Sequence, residues 1–225
     1  MDNLTFEVMC VKLLKRENFS FQRLGDGEWH AILGDEGMNC DNHPFYDDLG
    51  LALSLTLLRP QICYMGMQPF AIDRLGARIA EWEELHGCKI EWCDADIIHD
   101  ASIAGKIGEM FMAMRGRKKI LVGPSHLKPI ADQLQATYIH CPDKYPAWKA
   151  WTAMYADVVD AVDQDAVVMY CASLASGVLI DKACREYGET ITQIDVGSAL
   201  DVYVGKCSRR YHAGVMQRLV EEEAI

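Results

Sequence analysis

Residues Ala166–Gly177 read AVVMYCASLASG, an apolar run that ends in a turn of small residues. The run Ala166–Cys171 has no polar–apolar alternation, which is typical of a parallel strand covered on both faces. The small residues after it suit a tight strand-to-helix junction, and helical spacing continues over Leu174–Tyr187. This stretch therefore predicts one strand–helix unit of an α/β sheet.

The same alternation of short β-rich runs and helically spaced stretches extends along the whole chain. The predicted strands are Phe19–Leu24, Gln61–Met65, Lys89–Cys93, Lys119–Val122, Thr137–Cys141, Ala166–Cys171 and Thr190–Asp195. The predicted helices are Asn3–Lys15, Tyr46–Leu58, Ala71–Leu85, Ser102–Met114, Leu127–Leu134, Trp148–Val162, Leu174–Tyr187 and Ala213–Glu222. We expect a single domain over residues 1–225 of the α/β class. It is a Rossmann-like open, mostly parallel sheet with helices on both faces.

Composition narrows the class of protein. Of the 225 residues, 50% are apolar and 24% are charged, which excludes disordered and collagen-like chains. The longest apolar runs fall well short of the ~20 residues that a membrane helix needs, so we expect no membrane span and no secretion leader. The net charge of −11 argues against an extended nucleic-acid surface, although a local basic patch stays compatible with it.

The cysteines and histidines indicate neither a disulfide framework nor a zinc site. There are nine cysteines and no Cys-x-x-Cys pair, so free thiols in a reducing cytoplasm are expected. The seven histidines lack His-x3-His spacing, which argues against a zinc enzyme. There is also no Gly-x-Ser-x-Gly elbow to support a serine hydrolase.

Ligands of open α/β sheets bind at the carboxyl ends of the strands, so the residues after each strand are the candidates. Gly25-Asp26-Gly27-Glu28 follows the first predicted strand, and Arg23 precedes it. In an extended turn the two carboxylates point the same way and offer hard oxygen ligands for Mg²⁺ or Mn²⁺. Arg23 can pair with a carboxylate or a phosphate. A hairpin turn is an equally good interpretation of the Asp-Gly dipeptide.

Two later strand ends carry small residues. Gly123 begins a turn that can present backbone N–H groups to an anion, but the Walker pattern is missing. Ser173 and Ser176 lie in the junction after Ala166–Cys171, where hydroxyl groups suit a phosphate or a ribose. Close packing of helix against sheet explains these small residues equally well.

The last predicted strand ends in another carboxylate. Asp195 can hold a sugar hydroxyl, position a basic group or support a metal ion, while a local Asx turn is the structural alternative. Further on, Lys206 and Arg209 belong to a basic cluster that can neutralise a diphosphate. A solvated surface is the alternative interpretation of that cluster.

These motifs together resemble a known family. Phe19–Glu28, FSFQRLGDGE, resembles the opening signature of the bacterial GT-D-type glycosyltransferases, first catalogued as a domain of unknown function. Ala166–Ala183 resembles the late strand, turn and helix of that family, and Gln193–Gly197 resembles its "Ile-Asp-Ile-Gly" segment. Ser173-Leu174-Ala175 replaces the usual Gly-Pro-Thr, and Ser198 replaces a histidine. Motif order matches across roughly the whole chain, but only the Asp-Gly-Glu block is specific.

The resemblance implies a Rossmann-like fold that binds a nucleotide-sugar, with Asp26 and Glu28 in the position of an Asp-x-Glu metal motif. We therefore expect a glycosyltransferase that depends on Mn²⁺ or Mg²⁺ and moves a sugar from a nucleoside-diphosphate donor, in the first place a UDP-sugar, to a hydroxyl acceptor. The acceptor can be a glycan, a glycoprotein or another hydroxyl compound. Gly25, Gly27, Gly197, Arg23 and the basic cluster would contact the donor. The general base remains open among three carboxylates: Asp195, Asp201 and Asp100.

Two other classes of function remain open. The first is a non-catalytic module that binds nucleotides or phosphosugars on the same scaffold. The second is a glycosyltransferase whose acceptor is a hydroxylated base of DNA, against which the net charge argues. Association of the chain into a homo-oligomer is left open.

Overall fold

The computed structural model describes residues 3–59, 62–143 and 146–221. Seven strands form one sheet in the order β3-β2-β1-β7-β6-β4-β5. Every strand pair in it is parallel, so the α/β class is confirmed and the sheet is wholly rather than mostly parallel. The strands are β1 (Ser20–Leu24), β2 (Tyr64–Met67), β3 (Trp92–Asp94), β4 (Lys119–Gly123), β5 (Thr137–His140), β6 (Val167–Tyr170) and β7 (Thr192–Asp195).

Ten α-helices are found in the described part of the chain. They are α1 (Phe6–Lys15), α2 (Asp26–Ile32), α3 (Asp47–Leu58), α4 (Pro69–His86), α5 (Ile97–Ile103), α6 (Ile107–Ala113), α7 (Lys128–Leu134), α8 (Trp151–Ala161), α9 (Ser176–Tyr187) and α10 (His212–Glu221). Each predicted strand and helix overlaps an observed one. Gln61 and Glu222, at the ends of two predicted elements, lie outside the described residues.

The predicted helix Ser102–Met114 is wrong in one respect, because the structure divides this region into α5 and α6. The break falls at Gly105, whose φ of +76° is the left-handed conformation that ends a helix. The first half of the pair also begins earlier than predicted, at Ile97.

The apolar run of β6 explains how the sheet is covered. Val167 and Met169 belong to a core between the sheet and the layer of α1, α5, α6 and α7, whereas Val168 and Tyr170 face a core under α8 and α9. All four side chains are fully buried. A strand that is buried on both faces needs apolar residues at every position, which is why the run shows no alternation.

The strand order places a crevice at the centre of the sheet. From β1 the chain moves outward through β2 and β3, and it builds the other half from β4, β5 and β6 before β7 returns beside β1. Ser20 pairs with Gln193 and Phe21 with Ile194 across this seam. Because the winding reverses there, the carboxyl ends of β1 and β7 flank the crevice where ligands bind in open sheets.

The segment Gly25–Glu28 is not the extended turn that its pattern predicts. It forms the N-terminal turn of α2, with Asp26 at the first helical position and Glu28 at the third. The Glu28 carboxylate accepts a hydrogen bond from the N–H of Gly25 at 2.8 Å, which caps the helix. The helix also packs against α3, which offsets the low helix propensity of Gly27.

The nine cysteines are all free, and six of them are buried: Cys10, Cys63, Cys93, Cys141, Cys171 and Cys184. None of the helices in the described part of the chain combines the length and the apolar character that a membrane crossing requires.

We predict that Gly50→Ala weakens the fold through the contact between α2 and α3. A Cβ at Gly50 would overlap the carbonyl oxygen of Ala31 on α2. The free energy of unfolding should fall by about 2–3 kcal/mol, since overpacking against backbone cannot relax through a rotamer change. Gly76→Ala in α4 is the control. Its nearest contact would be an ordinary 3.6 Å from Ile72, so this variant should gain about 0.5–1 kcal/mol. Urea denaturation measures both, and equal effects would contradict the packing account.

Candidate active site

A cavity of about 710 Å³ lies at the carboxyl ends of β1, β2, β6 and β7. We call it the main cavity. Nine of the residues predicted from sequence line it, although they come from opposite ends of the chain. They are Arg23, Gly25, Asp26, Gly27, Glu28, Ser173, Asp195, Gly197 and Arg209.

The carboxylates of α2 form one wall of the main cavity. Asp26 is 34% exposed, and its Oδ2 lies 3.5 Å from the guanidinium of Arg74. Glu28 points inward and uses one oxygen to accept the N–H of Gly25. Burial raises the pKa of Glu28, and the negative charge of Asp26 adds to that effect, while the hydrogen bond from Gly25 opposes it.

Asp195 lies opposite, at the end of β7, and is 7% exposed. Its Oδ1 accepts the N–H of Gly197 at 3.0 Å, so the local turn considered from the sequence is present. The side chain also lines the main cavity. Burial raises the pKa of Asp195 to about 7, because the nearby charge of Glu28 reinforces the burial and the charge of Arg23 only partly offsets it. A carboxyl group with such a pKa exchanges protons near neutral pH.

Arg23 is the cation at the centre of the site. Its guanidinium donates to Nδ1 of His99 at 3.3 Å and lies 3.7 Å from Oδ1 of Asp96. Gly197 packs so closely that a Cβ there would overlap this guanidinium, and its φ of +58° also favours glycine. Burial lowers the pKa of His99 to about 4, helped by the charge of Arg23, so the imidazole is neutral at pH 7.

The rim of the main cavity is held by a loop that precedes α3. Asn39 donates to the hydroxyl of Ser173 at 2.9 Å, which joins the loop to the end of β6. Arg209 donates to Oδ2 of Asp41 at 2.7 Å, which joins the loop to the segment before α10. Ser173 itself adopts φ +50°, an uncommon conformation for a serine. The loop therefore closes one side of the cavity through polar contacts.

A second cavity of about 250 Å³ receives two other predicted residues, Asp201 and Lys206. Asp201 is 6% exposed and accepts hydrogen bonds from His126 at 2.8 Å and from Ser208. Lys206 lies 3.2 Å from Nδ1 of His126. Both residues line this cavity and not the main one. Ser173, Gly197 and Arg209 line both.

Three predicted or considered residues lie away from both cavities among the described residues. Gly123 packs on Leu127, and its carbonyl accepts the hydroxyl of Tyr138. Ser176 is buried, and its hydroxyl accepts the N–H of Ala172. Both are structural in this geometry. Asp100 lies on α5, where partial burial and the nearby charges of Asp94 and Asp96 raise its pKa.

Sequence reasoning missed several lining residues. Gln68 directly follows β2, and His99 lies shortly after β3, so the strand-end rule that found Asp195 could have found them. Phe70 and Arg74 lie on α4, with the guanidinium 4.0 Å from the ring centre. No sequence pattern pointed to Asp41, because it reaches the site through the fold of its loop.

The described residues contain no group of three or more His, Cys, Asp or Glu side chains arranged to hold a metal ion. Asp26 and Glu28 can therefore supply only part of a coordination shell. Mg²⁺ and Mn²⁺ commonly bind in this way and complete their shells with substrate phosphates and water.

Comparison with known proteins bears on the fold. No protein-family model and no curated protein sequence matches the chain. Solved structures do match. One, described as a new glycosyltransferase (DUF1792) from Streptococcus sanguinis, has 15% identity and a TM-score of 0.68, and the match covers 90% of this chain and 83% of the other. A second, described as showing that the highly conserved domain of unknown function 1792 has a distinct glycosyltransferase fold, has 16% identity and a TM-score of 0.65, with 90% and 80% covered. The fold implied by the resemblance to the GT-D-type glycosyltransferases is therefore confirmed.

Proposed function

We propose that this chain is a metal-dependent glycosyltransferase that uses a nucleoside-diphosphate-sugar donor, in the first place a UDP-sugar, and a hydroxyl acceptor. One observation carries the proposal. Asp26, Glu28 and Asp195 meet in a single large cavity at the β1–β7 seam of a glycosyltransferase fold. The free thiols fit a reducing cytoplasm as the place of the reaction.

The donor set of the main cavity fits a hard divalent cation. Asp26 is partly exposed, and Glu28 keeps one oxygen outside its hydrogen bond to Gly25. Burial and the nearby charge of Asp26 raise the pKa of Glu28, and a bound cation would relieve both effects. When bound there, Mn²⁺ or Mg²⁺ supplies positive charge to the donor diphosphate.

Side chains of the protein then neutralise the leaving diphosphate and accept the proton of the acceptor. Arg209, at the border of the two cavities, is paired with Asp41 at 2.7 Å and offers its remaining N–H groups to the leaving diphosphate. The acceptor oxygen forms a bond to the anomeric carbon as the bond to the diphosphate breaks and its electron pair leaves on the phosphate oxygen. Asp195 accepts the acceptor's hydroxyl proton, for which a pKa of about 7 is well suited. Asp201 is less suited to this role, because both of its oxygens already accept hydrogen bonds.

A non-catalytic binding module would share the scaffold, the cavity and the carboxylates. Turnover separates the two functions, since a module binds the nucleotide without hydrolysing or transferring the donor sugar. The proton-accepting environment of Asp195 is the feature that favours catalysis, because simple binding of a diphosphate does not require a buried carboxyl group with a raised pKa.

We predict that Asp26→Asn and Glu28→Gln each abolish the dependence of UDP binding on Mn²⁺. Glutamine can still accept the N–H of Gly25, so Glu28→Gln removes the charge and keeps the helix cap. Calorimetry of UDP binding with Mn²⁺ and with EDTA measures the effect. Asp47→Asn is the matched control, because Asp47 occupies the first position of α3 outside the main cavity. Equal UDP affinities of the unmodified chain in Mn²⁺ and in EDTA would contradict the metal role.

We predict that Asp195→Asn lowers kcat for sugar transfer by about 100-fold or more and leaves KM for the donor nearly unchanged. The amide keeps the shape of the side chain but cannot accept the hydroxyl proton. Steady-state kinetics separates the roles, since a residue that only holds the donor would raise KM instead. Near-normal kcat in the variant would show that Asp195 has only the structural role of closing the turn with Gly197.

The same variant should change how stability depends on pH in EDTA. The pKa of Asp195 is about 7 in the fold and 3.8 ordinarily, so the folded chain binds the extra proton between these values. The stability that this bound proton contributes to the folded chain is complete below pH 4 and is lost as the pH rises through 7. The free energy of unfolding of the unmodified chain should therefore fall, relative to Asp195→Asn, by a few kcal/mol between pH 5 and pH 8. Urea denaturation at each pH measures the free energy of unfolding of both chains. If the two values changed equally with pH, the raised pKa of Asp195 would be contradicted.

A further inference from the structure

Helix α3 is apolar on two opposite faces. One face, with Leu53 at its centre, is buried against α2 and α9. The other face carries Leu51, Leu55 and Leu58, whose exposed fractions are 64%, 38% and 41%. We call these three residues the leucine stripe. A helix that is apolar all round is typical of a helix covered on both sides, so the leucine stripe is a candidate docking surface.

The leucine stripe has no part in the proposed reaction. Its residues are spaced at i, i+4 and i+7, so they form one continuous ridge along the helix. Both cavities are lined by residues outside α3. The exposure of this ridge therefore needs a reason other than substrate binding.

Negative charge lies at the N-terminal end of the leucine stripe. Asp47 and Asp48 are exposed in the first turn of α3. Asp47 lies four positions before Leu51 and continues the same ridge. Lys149 lies 3.6 Å from Asp48 and offsets one of the two carboxylates. Together these three charged side chains carry a formal charge of −1.

Positive charge lies at the other end. Arg59 directly follows α3, is exposed, and lies 3.3 Å from the buried carboxylate of Asp181. Arg185 also pairs with Asp181, at 2.7 Å. Two guanidinium groups thus share one carboxylate, and the three side chains carry a formal charge of +1. The two ends of the leucine stripe are therefore complementary to each other.

The geometry of α3 fits this complementarity to one arrangement of two copies. Asp48 and Arg59 lie on the same flank of the leucine stripe, because eleven residues make about three turns and leave an offset of only about 20°. A two-fold axis that crosses two facing helices brings the same flanks together and exchanges their ends. Asp48 then lies beside the partner's Arg59, and the contact occurs twice. In a parallel pair, Asp48 would instead be level with the partner's Asp48.

A lipid surface fits the leucine stripe less well. Helices that lie in a membrane interface carry Lys and Arg beside their apolar face, because they are attracted to anionic lipids. Here Asp47 continues the ridge itself, and Asp48 lies on its flank. These carboxylates would be repelled by anionic headgroups, whereas the flank of a second copy offers them a guanidinium.

We propose that the leucine stripe of α3 binds the leucine stripe of a second copy of this chain in antiparallel orientation, which forms a two-fold symmetric dimer. Leu55 lies beside the axis, and Leu51 packs against the partner's Leu58. The dimer goes beyond the proposed function and does not depend on it. It covers the outer side of the helix that packs on α2, whose first turn carries the carboxylates of the main cavity.

The first test is sedimentation equilibrium of the unmodified chain over a range of concentrations, where we expect a monomer–dimer equilibrium. Leu51→Lys should raise the dissociation constant of the dimer by about 100-fold or more, because it buries an ammonium against an apolar side chain on both sides of the axis. The new lysine pairs with Asp47 at i, i+4, so the helix is retained, which circular dichroism checks. Leu14→Lys is the matched control. Leu14 is 66% exposed on α1, on the other face of the sheet, and its substitution should leave the dimer unchanged.

The second test concerns the orientation of the two helices. Asp48→Lys and Arg59→Glu should each weaken their own dimer, because like charges then meet at both ends. An equimolar mixture of the two variants should restore dimers, since each new charge meets its complement in the other variant. The double variant Asp48→Lys/Arg59→Glu should also dimerise. This restoration separates lost pairing from a damaged fold, because a damaged chain would not recover on mixing.

Four results would overturn the proposal. A chain that stays monomeric at every concentration has no such interface, and a dimer that survives Leu51→Lys uses another surface. Failure of both the mixture and the double variant to restore dimers would exclude the antiparallel arrangement. A monomer that binds vesicles of phosphatidylcholine, and loses this binding in Leu51→Lys, would assign the leucine stripe to a lipid surface.

Discussion

The parallel pairing of β1 with β7 is the interaction on which the site depends. It joins Ser20 to Gln193, residues 173 positions apart, and the amide of Gln193 donates to the hydroxyl of Ser20 within the buried seam. Only this pairing brings Asp195 beside Arg23 and opposite the start of α2. Any change that separates the two strands would divide the carboxylates of the main cavity into two unrelated surfaces.

More carboxylates than cations meet at this seam, and the excess of negative charge determines which ligands the site favours. Arg23 is the buried cation, and the carboxylates of Glu28, Asp96 and Asp195 surround it. Arg23 lowers the pKa of each of these groups, yet burial leaves the pKa of both Glu28 and Asp195 raised. Because one guanidinium does not balance three carboxylates in a low-dielectric setting, the cavity favours either protons or a further cation. Our account assigns the proton to Asp195 and the cation to Asp26 and Glu28.

The sequence predicted the positions of the strands better than the order of the strands in the sheet and the helix α2. Seven short β-rich runs predicted seven strands, and a strand covered on both faces leaves the clearest local pattern, such as that of Ala166–Cys171. The position of β7 between β1 and β6 leaves no such pattern, because it is decided by long-range pairing. The helix α2 was missed because the Asp-Gly dipeptide is typical of a turn and Gly27 has low helix propensity, which the cap from Glu28 and the packing on α3 override.

Residues of the site could likewise be predicted where local sequence position decides their place, and not where long-range packing does. Residues directly after strands, such as Asp26 and Asp195, could be predicted because the carboxyl ends of parallel strands share one edge. Lys206 shows the limit of that rule. Its charge suggests a diphosphate contact, which stays a prediction, and the fold places it against His126 in the second cavity. Asp41 could not be predicted at all, since its place depends on how a loop without periodicity packs against Arg209.

Donor turnover tests the central claim most directly. The unmodified chain is incubated with a panel of nucleoside-diphosphate-sugars and Mn²⁺, without added acceptor and then with a panel of hydroxyl acceptors, and release of the nucleoside diphosphate is measured. The account predicts that one donor is cleaved, that cleavage stops in EDTA, and that a suitable hydroxyl acceptor accelerates it. A donor that binds with Mn²⁺ and is never cleaved under either condition would contradict the account and leave a binding module in its place.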